Sequence, residues 1–197
     1  AAYTDGQGFA ETVTTAAGTV MDATAPTIRS ISVKDNALIL KYSEAVTAAA
    51  VPTTAFSVAT VNTFNQASSK LVSLVTVDPN DSSQVVLVLG GAAPASNLNL
   101  RVSYTDPAGN QATGVIQDGA GNDATSFANR FADTFITGST TTLASQYQNL
   151  VLTGSSAING TGNTLNNTIT GNSANNVLNG STGADVMVGG AGNDTYV

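Results

Sequence analysis

The sequence has no cysteine, no histidine and no tryptophan. Without cysteine there can be no disulfide, no thiolate metal ligand and no cysteine nucleophile. Without histidine there is no Ser-His-Asp triad and no His-ligated zinc, and the commonest general base is missing. Charge is also scarce: 10% of the 197 residues are charged, against about 25% in an ordinary soluble domain. Six scattered cations face 13 acids, for a net charge of -7, which argues against a nucleic-acid partner. No apolar run approaches the ~18 residues of a membrane helix, so no membrane insertion is expected. The chain opens on Ala1, with no signal peptide; this predicts a processed product or an excised piece. The remaining class is an acidic, β-rich, extracellular protein.

Gly, Asn, Thr, Ser and Val dominate instead, and these favour turns and strands. A short helix is expected at 45–50, stopped by Pro52. Three zones differ in composition. Residues 1–21 are Thr/Ala-rich, with Asp5 and Glu11. Residues 22–137 hold nine of the 13 acids and all six cations. Residues 146–197 carry only Asp185 and Asp194 as charges but are dense in Asn and Gly. The stretch 138–145 between the last two zones reads as a linker.

The middle zone predicts strands at 28–33, 37–42, 55–60, 71–77, 84–89 and 98–104. In the last, Leu98, Leu100, Val102 and Tyr104 alternate with Asn99, Arg101 and Ser103, the pattern of a half-buried strand. The run from Val85 to Leu89 reads as a strand buried on both faces. Turn residues fall between the strands, so an immunoglobulin-like β-sandwich is expected. Four segments in order resemble the tandem Ig-like, SwmB-type repeats of large bacterial surface proteins. They are Asp22-Ala-Thr-Ala-Pro-Thr27, Tyr42-Ser-Glu-Ala45, Val102-Ser-Tyr-Thr-Asp-Pro107 and Gln117-Asp-Gly-Ala-Gly-Asn-Asp-Ala124. Tyr3-Thr4-Asp5 repeats Tyr104-Thr105-Asp106, so residues 1–21 are expected to be the last strand or two of a preceding module of the same kind.

The C-terminal zone repeats every nine residues. Its four copies are 162–170, 171–179, 180–188 and 189–197. Column one is always glycine: Gly162, Gly171, Gly180 and Gly189. Column six is Asn167, Asn176, Asp185 and Asp194; column eight is Ile169, Leu178, Met187 and Tyr196. The last copy fits G-G-x-G-x-D-x-U-x, the pattern of the RTX β-roll. The third lacks only the second glycine, and the first two are degenerate. Residues 147–197 thus resemble the hemolysin-type calcium-binding repeat family. The spacing makes each copy a six-residue turn and a three-residue strand, with column eight turned into a thin apolar core. Turns alternate between two edges, so Asp185 is expected over the turn of Asn167, and Asp194 over that of Asn176.

Calcium takes 6–8 oxygen ligands from carboxylates and backbone carbonyls. The expected calcium residues are Asp185, Asp194, Asn167 and Asn176, with the turn glycines Gly180, Gly183, Gly189 and Gly192. An Asn oxygen brings no charge, so mixed Asp/Asn sites should be weaker than Asp/Asp ones. Because the chain stops after one full repeat, the roll reads as truncated. Softer candidates lie in the sandwich. Asp106, Asp118 and Asp123 are expected to gather at one end, with Asp22 at a module junction and Glu44 after Tyr42-Ser43. The bland alternative is that Asn columns ladder without metal and that these acids are turn residues. Paired carboxylates can hydrolyse glycosides, but no aromatic sugar platform accompanies any pair here, so no enzyme is expected.

The family resemblance implies a non-enzymatic module of a large secreted adhesin or S-layer-like protein. It also implies type I secretion, with calcium folding the roll outside the cell. Expected partners are neighbouring modules of the same long chain, copies of itself, or a cell-surface or matrix ligand. Two alternatives follow from other features. Open strand edges suit a self-assembling filament or sheet subunit. β-rolls also trail secreted enzymes, which would place a catalytic domain upstream.

Overall fold

The structure, a computed structural model, describes residues 2–4, 10–12, 22–62, 64–95, 98–107 and 113–197, the first two segments as backbone only. Among these residues there is no α-helix, only a 3-10 turn at Thr53–Ala55. The N-terminal strands β1 (Ala2–Thr4) and β2 (Ala10–Thr12) pair antiparallel with each other. The rest of the 1–21 segment, expected as the end of a preceding module, lies outside the described residues.

The middle zone is a β-sandwich. One sheet runs β10-β9-β5-β6, from β10 (Phe127–Phe131), β9 (Asn99–Tyr104), β5 (Phe56–Val61) and β6 (Ala67–Lys70). The facing sheet contains β3 (Ile28–Lys34), β4 (Ala37–Tyr42), β8 (Asp81–Leu89) and β7 (Val72–Asp78). Alternation decides which face is buried: Ile31, Val33, Leu38, Leu40 and Tyr42 point into one core with Val58, Leu100, Val102 and Tyr104, while Arg29 and Lys34 stay exposed. The hairpin between β3 and β4 turns on Asp35 at a φ of 49°, a conformation that Asp tolerates.

Two local expectations are corrected. Residues 45–50 form no helix. A single helical turn is marginal without tertiary support, and here the support goes elsewhere. The Val46 N–H donates to the Ser82 carbonyl, and Thr47 bridges to Gln117. In β8, Val85, Leu87 and Leu89 are buried but Val86 and Val88 only half-buried, so the strand faces the core on one side.

The sandwich runs into the solenoid without a break. β11 (Thr134–Thr137) pairs parallel with β3 on one side and with β13 (Asn149–Leu152) on the other. From there β13, β15 (Thr168–Thr170) and β17 (Val186–Val188) extend the same sheet, eight strands in all. A second parallel sheet covers them: β12 (Thr141–Thr142), β14 (Gly160–Thr161), β16 (Val177–Asn179) and β18 (Thr195–Tyr196). The stretch 138–145, expected as a linker, contains β12 and buries Leu143 and Ala144 in the common core. Tyr147 is fully buried; its hydroxyl donates to the Leu98 carbonyl at 3.2 Å and its ring meets Phe135 edge-on. The all-β reading, a sandwich followed by a parallel β-roll, is what the chain forms.

Candidate metal centres

The strands of the first three nonapeptides occupy columns seven to nine, and β18 columns seven and eight. Strands two copies apart are neighbours at a step of 18 residues, as in Ile169 beside Met187 and Leu178 beside Tyr196. Column eight points inward: Ile169 and Leu178 are fully buried, Met187 half-buried, while Tyr196 is exposed. Stacking at this step puts Asp185 against the Asn167 turn and Asp194 against the Asn176 turn. The Asn167 N–H donates to Asp185 Oδ1 at 2.8 Å, and the Asn176 N–H to Asp194 Oδ1 at 2.8 Å.

The glycine of column one makes room for this. A Cβ on Gly180 would run into the Asp185 carboxylate, and one on Gly189 into that of Asp194. Column six folds back over column one, so its side chain lies inside the turn. Each Asp spends Oδ1 on the turn above it. Among the described residues Oδ2 takes no hydrogen bond and no ion pair, and all six cations of the chain precede residue 131. A half-buried carboxylate oxygen without a donor suits a hard cation that also collects turn carbonyls. On that chemistry the Asp turns fit calcium.

The two Asn turns are built differently. Oδ1 of Asn167 accepts the N–H of Asn163 at 2.7 Å, and Oδ1 of Asn176 that of Asn172 at 2.9 Å. Their Nδ2 groups donate upward. Asn167 reaches the carbonyls of Tyr147 and Gln148 at 3.3 Å each, and Asn176 reaches Ile158 at 2.6 Å. Both Asn side chains are almost completely buried. Asn163 and Asn172 do the same: Asn163 Nδ2 donates to Ala144 and Tyr147, and Asn172 Nδ2 to Thr153 and Ser156.

A second acidic site lies in the sandwich. Oxygens of Asp22, Glu44 and Asp118 all lie within 4.8 Å of one another. Asp118 is buried; Oδ1 accepts the N–H groups of Ala120 and Asn122, and Oδ2 accepts Asn122 Nδ2. That amide also donates to the Asp22 carbonyl at 3.0 Å. Burial pushes the Asp118 pKa up, but the bonds from Asn122, Ala120 and Gly121 outweigh it and the net shift is downward. Asp118 thus joins Asp22 and Glu44. Asp106 accepts the Tyr104 hydroxyl at 3.3 Å; burial and then the charge of Asp123 raise its pKa.

A parallel solenoid of two nonapeptides per coil, continuous with a β-sandwich, defines a β-roll repeat protein. Residues 161–196 match the family model of the RTX calcium-binding nonapeptide repeat in four copies. Residues 21–109 match that of the Putative flagellar system-associated repeat. Residues 161–196 are thus an RTX-type repeat segment, and the ion such repeats bind is calcium. No curated protein and no solved structure matches it.

Three residues at these sites were not singled out in the sequence. Asn163 and Asn172 sit in column two, where the consensus has glycine; that departure, coupled to Asn in column six, is the signal. Asn122 carried none, because its partner Asp22 is 100 residues away.

Proposed function

We propose that this chain is a non-enzymatic calcium-binding structural module of a large secreted bacterial surface protein, an adhesin or S-layer-like protein. The reading rests on one observation: Asp185 and Asp194 each hold a donor-free carboxylate oxygen inside a stacked nonapeptide turn. Asp185 and Asp194, with carbonyls of their own and the neighbouring turns, would hold calcium. The ion would supply the charge that lets two turns share one cluster of oxygens. Millimolar extracellular calcium matches the weak affinity of such modules, and binding would add to folding. Asp turns that stay loose where calcium is scarce would close only after export, which suits a type I secretion system. The Asp22–Glu44–Asp118 trio is a second candidate, at the entry to the sandwich. Partners would be adjoining modules of the same long chain, further copies of it, or a cell-surface or matrix ligand.

Calorimetric melting in millimolar calcium and then in excess chelator tests the proposal, for the native chain and for Asp185→Asn with Asp194→Asn. A calcium-dependent transition in the native chain, lost in the double variant, is the expected result. A transition indifferent to calcium would sink it. A calcium response that survives the double variant but is lost in Asp118→Asn would move the site to the sandwich trio.

A further inference from the structure

The four turns fall into two kinds, and the difference lies in backbone as well as side chains. The Asp turns carry positive φ in columns two and four: Ser181 at 72° and Gly183 at 131°, Gly190 at 93° and Gly192 at 107°. The Asn turns have none there; Asn163, Leu165, Asn172 and Ala174 keep negative φ. Columns two and four of the Asn turns therefore need no glycine.

Side-chain chemistry differs in step. In the Asn turns, the amides of columns two and six send N–H groups into the carbonyls of the turn above. They are cross-braced within the turn, where Asn167 Nδ2 donates to Asn163 Oδ1 at 3.2 Å and Asn176 Nδ2 to Asn172 Oδ1 at 3.0 Å. Gathering the carbonyls of two stacked turns is the task a calcium ion performs in an Asp turn. An amide does it with two N–H donors and no charge. The Asp turns have no such donors: a carboxylate only accepts, and Ser181 and Gly190 have no amide in column two.

We propose that the two Asn turns are latched without metal, their amide groups taking the place of the ion, so that calcium governs only the residues from Gly180 onward. The roll is then a two-part device. Its upper part, 144–179, is built directly on the sandwich and is folded whether or not calcium is present. It offers a finished edge, on which the Asp turns close when calcium arrives. The sandwich–roll joint would act as the template, and the ion would only extend it. This rests on the calcium reading of Asp185 and Asp194 given above.

Hydrogen exchange of the full chain, read by mass spectrometry in millimolar calcium and in excess chelator, tests it. In chelator, amides in 180–197 should exchange about 10-fold faster or more, while those in 144–179 change by less than about 2-fold, as expected for separate local openings. The N–H groups of Asn167, Gly171 and Asn176, and those of β15 and β16 that face β17 and β18, are left out, since they donate to the residues from Gly180 onward. Loss of protection reaching through 144–179 would overturn the metal-independent latch but leave calcium binding intact. No change anywhere would instead overturn the calcium reading on which the proposal stands. Asn167→Asp adds an internal check. It removes the donors to Tyr147 and Gln148, so protection in 162–170 should fall in chelator and return with calcium. Unaltered protection of that variant in chelator would show that the amide is not the latch. Should the variant fail to fold, the comparison on the native chain still decides.

Discussion

The carbonyl oxygen of Leu165 lies 2.6 Å from where a Cβ would stand on Gly183. Gly183 also holds a φ of 131°, a region L side chains rarely adopt. Gly183→Ala is therefore predicted to destabilise the calcium-dependent transition by about 1–3 kcal/mol. Gly138→Ala is the control, since its Cβ would meet nothing nearer than 3.9 Å. Melting of both variants in saturating calcium separates them, and equal midpoints would refute the steric account.

Columns eight and seven make a second pair. Leu178 is fully buried on the inner face, whereas Val186 is 56% exposed on the outer one. Leu178→Ala should cost about 2–5 kcal/mol, through lost burial and the cavity left behind. Val186→Ala should stay within about 0.5 kcal/mol. Denaturant titration reads both; a neutral Leu178→Ala would mean that the roll core is not packed as described.

Asp133 ties the sandwich to the roll at three points. Its carbonyl accepts the N–H groups of Gln148 and Asn149, its N–H donates to Ile31, and its Oδ2 accepts the Ile31 N–H at 3.2 Å. Asp133→Ala removes only the side-chain bonds, that from the Thr134 hydroxyl to Oδ1 at 2.6 Å and that from Ile31, leaving the partly buried Ile31 N–H unpaired. A loss of about 1–2 kcal/mol is expected, with faster hydrogen exchange at Ile31 and along β11. Exchange that changes only in β17 and β18 would contradict this placement.

Asp106 gives a dependence on pH. Burial and then Asp123 raise its folded pKa above the unfolded value, so the folded chain binds this proton more tightly than the unfolded chain does. The associated stability is complete below the unfolded value of about 3.9 and is lost as pH rises through the folded one. At neutral pH the ionised group is a cost. Asp106→Asn keeps an oxygen for the Tyr104 hydroxyl and should raise the melting temperature of the sandwich at pH 7 in chelator by a small amount. At pH 3 the variant and the native chain should coincide. A lower melting temperature at pH 7 would reverse the sign and refute the assignment.

Periodicity carried most of the architecture. All six expected sandwich strands recur within a few residues, from 28–33 against Ile28–Lys34 to 98–104 against Asn99–Tyr104. Alternation in β-branched and apolar residues is a local property that a half-buried strand preserves. The nine-residue spacing fixed which turns stack, and Asp185 does lie on the Asn167 turn. What could not be read depends on distant partners. The Ala-rich run at 45–50 has local helix propensity, but Thr47 finds Gln117 across the fold. That same bridge sets Glu44 beside Asp118, a proximity no spacing announces. The direction of the Asn167 amide was equally hidden, because Asn can accept or donate, and only the carbonyls of Tyr147 and Gln148 settle which it does.

The strand β11 lies between parallel neighbours on both sides, β3 and β13. Tension drawn along the chain would slide this strand past both partners at once. Its inter-strand bonds would be loaded together, sideways, not opened one after another like a zipper. A module joined in this way transmits pull from the roll into the sandwich as a girder would, with no hinge to absorb it.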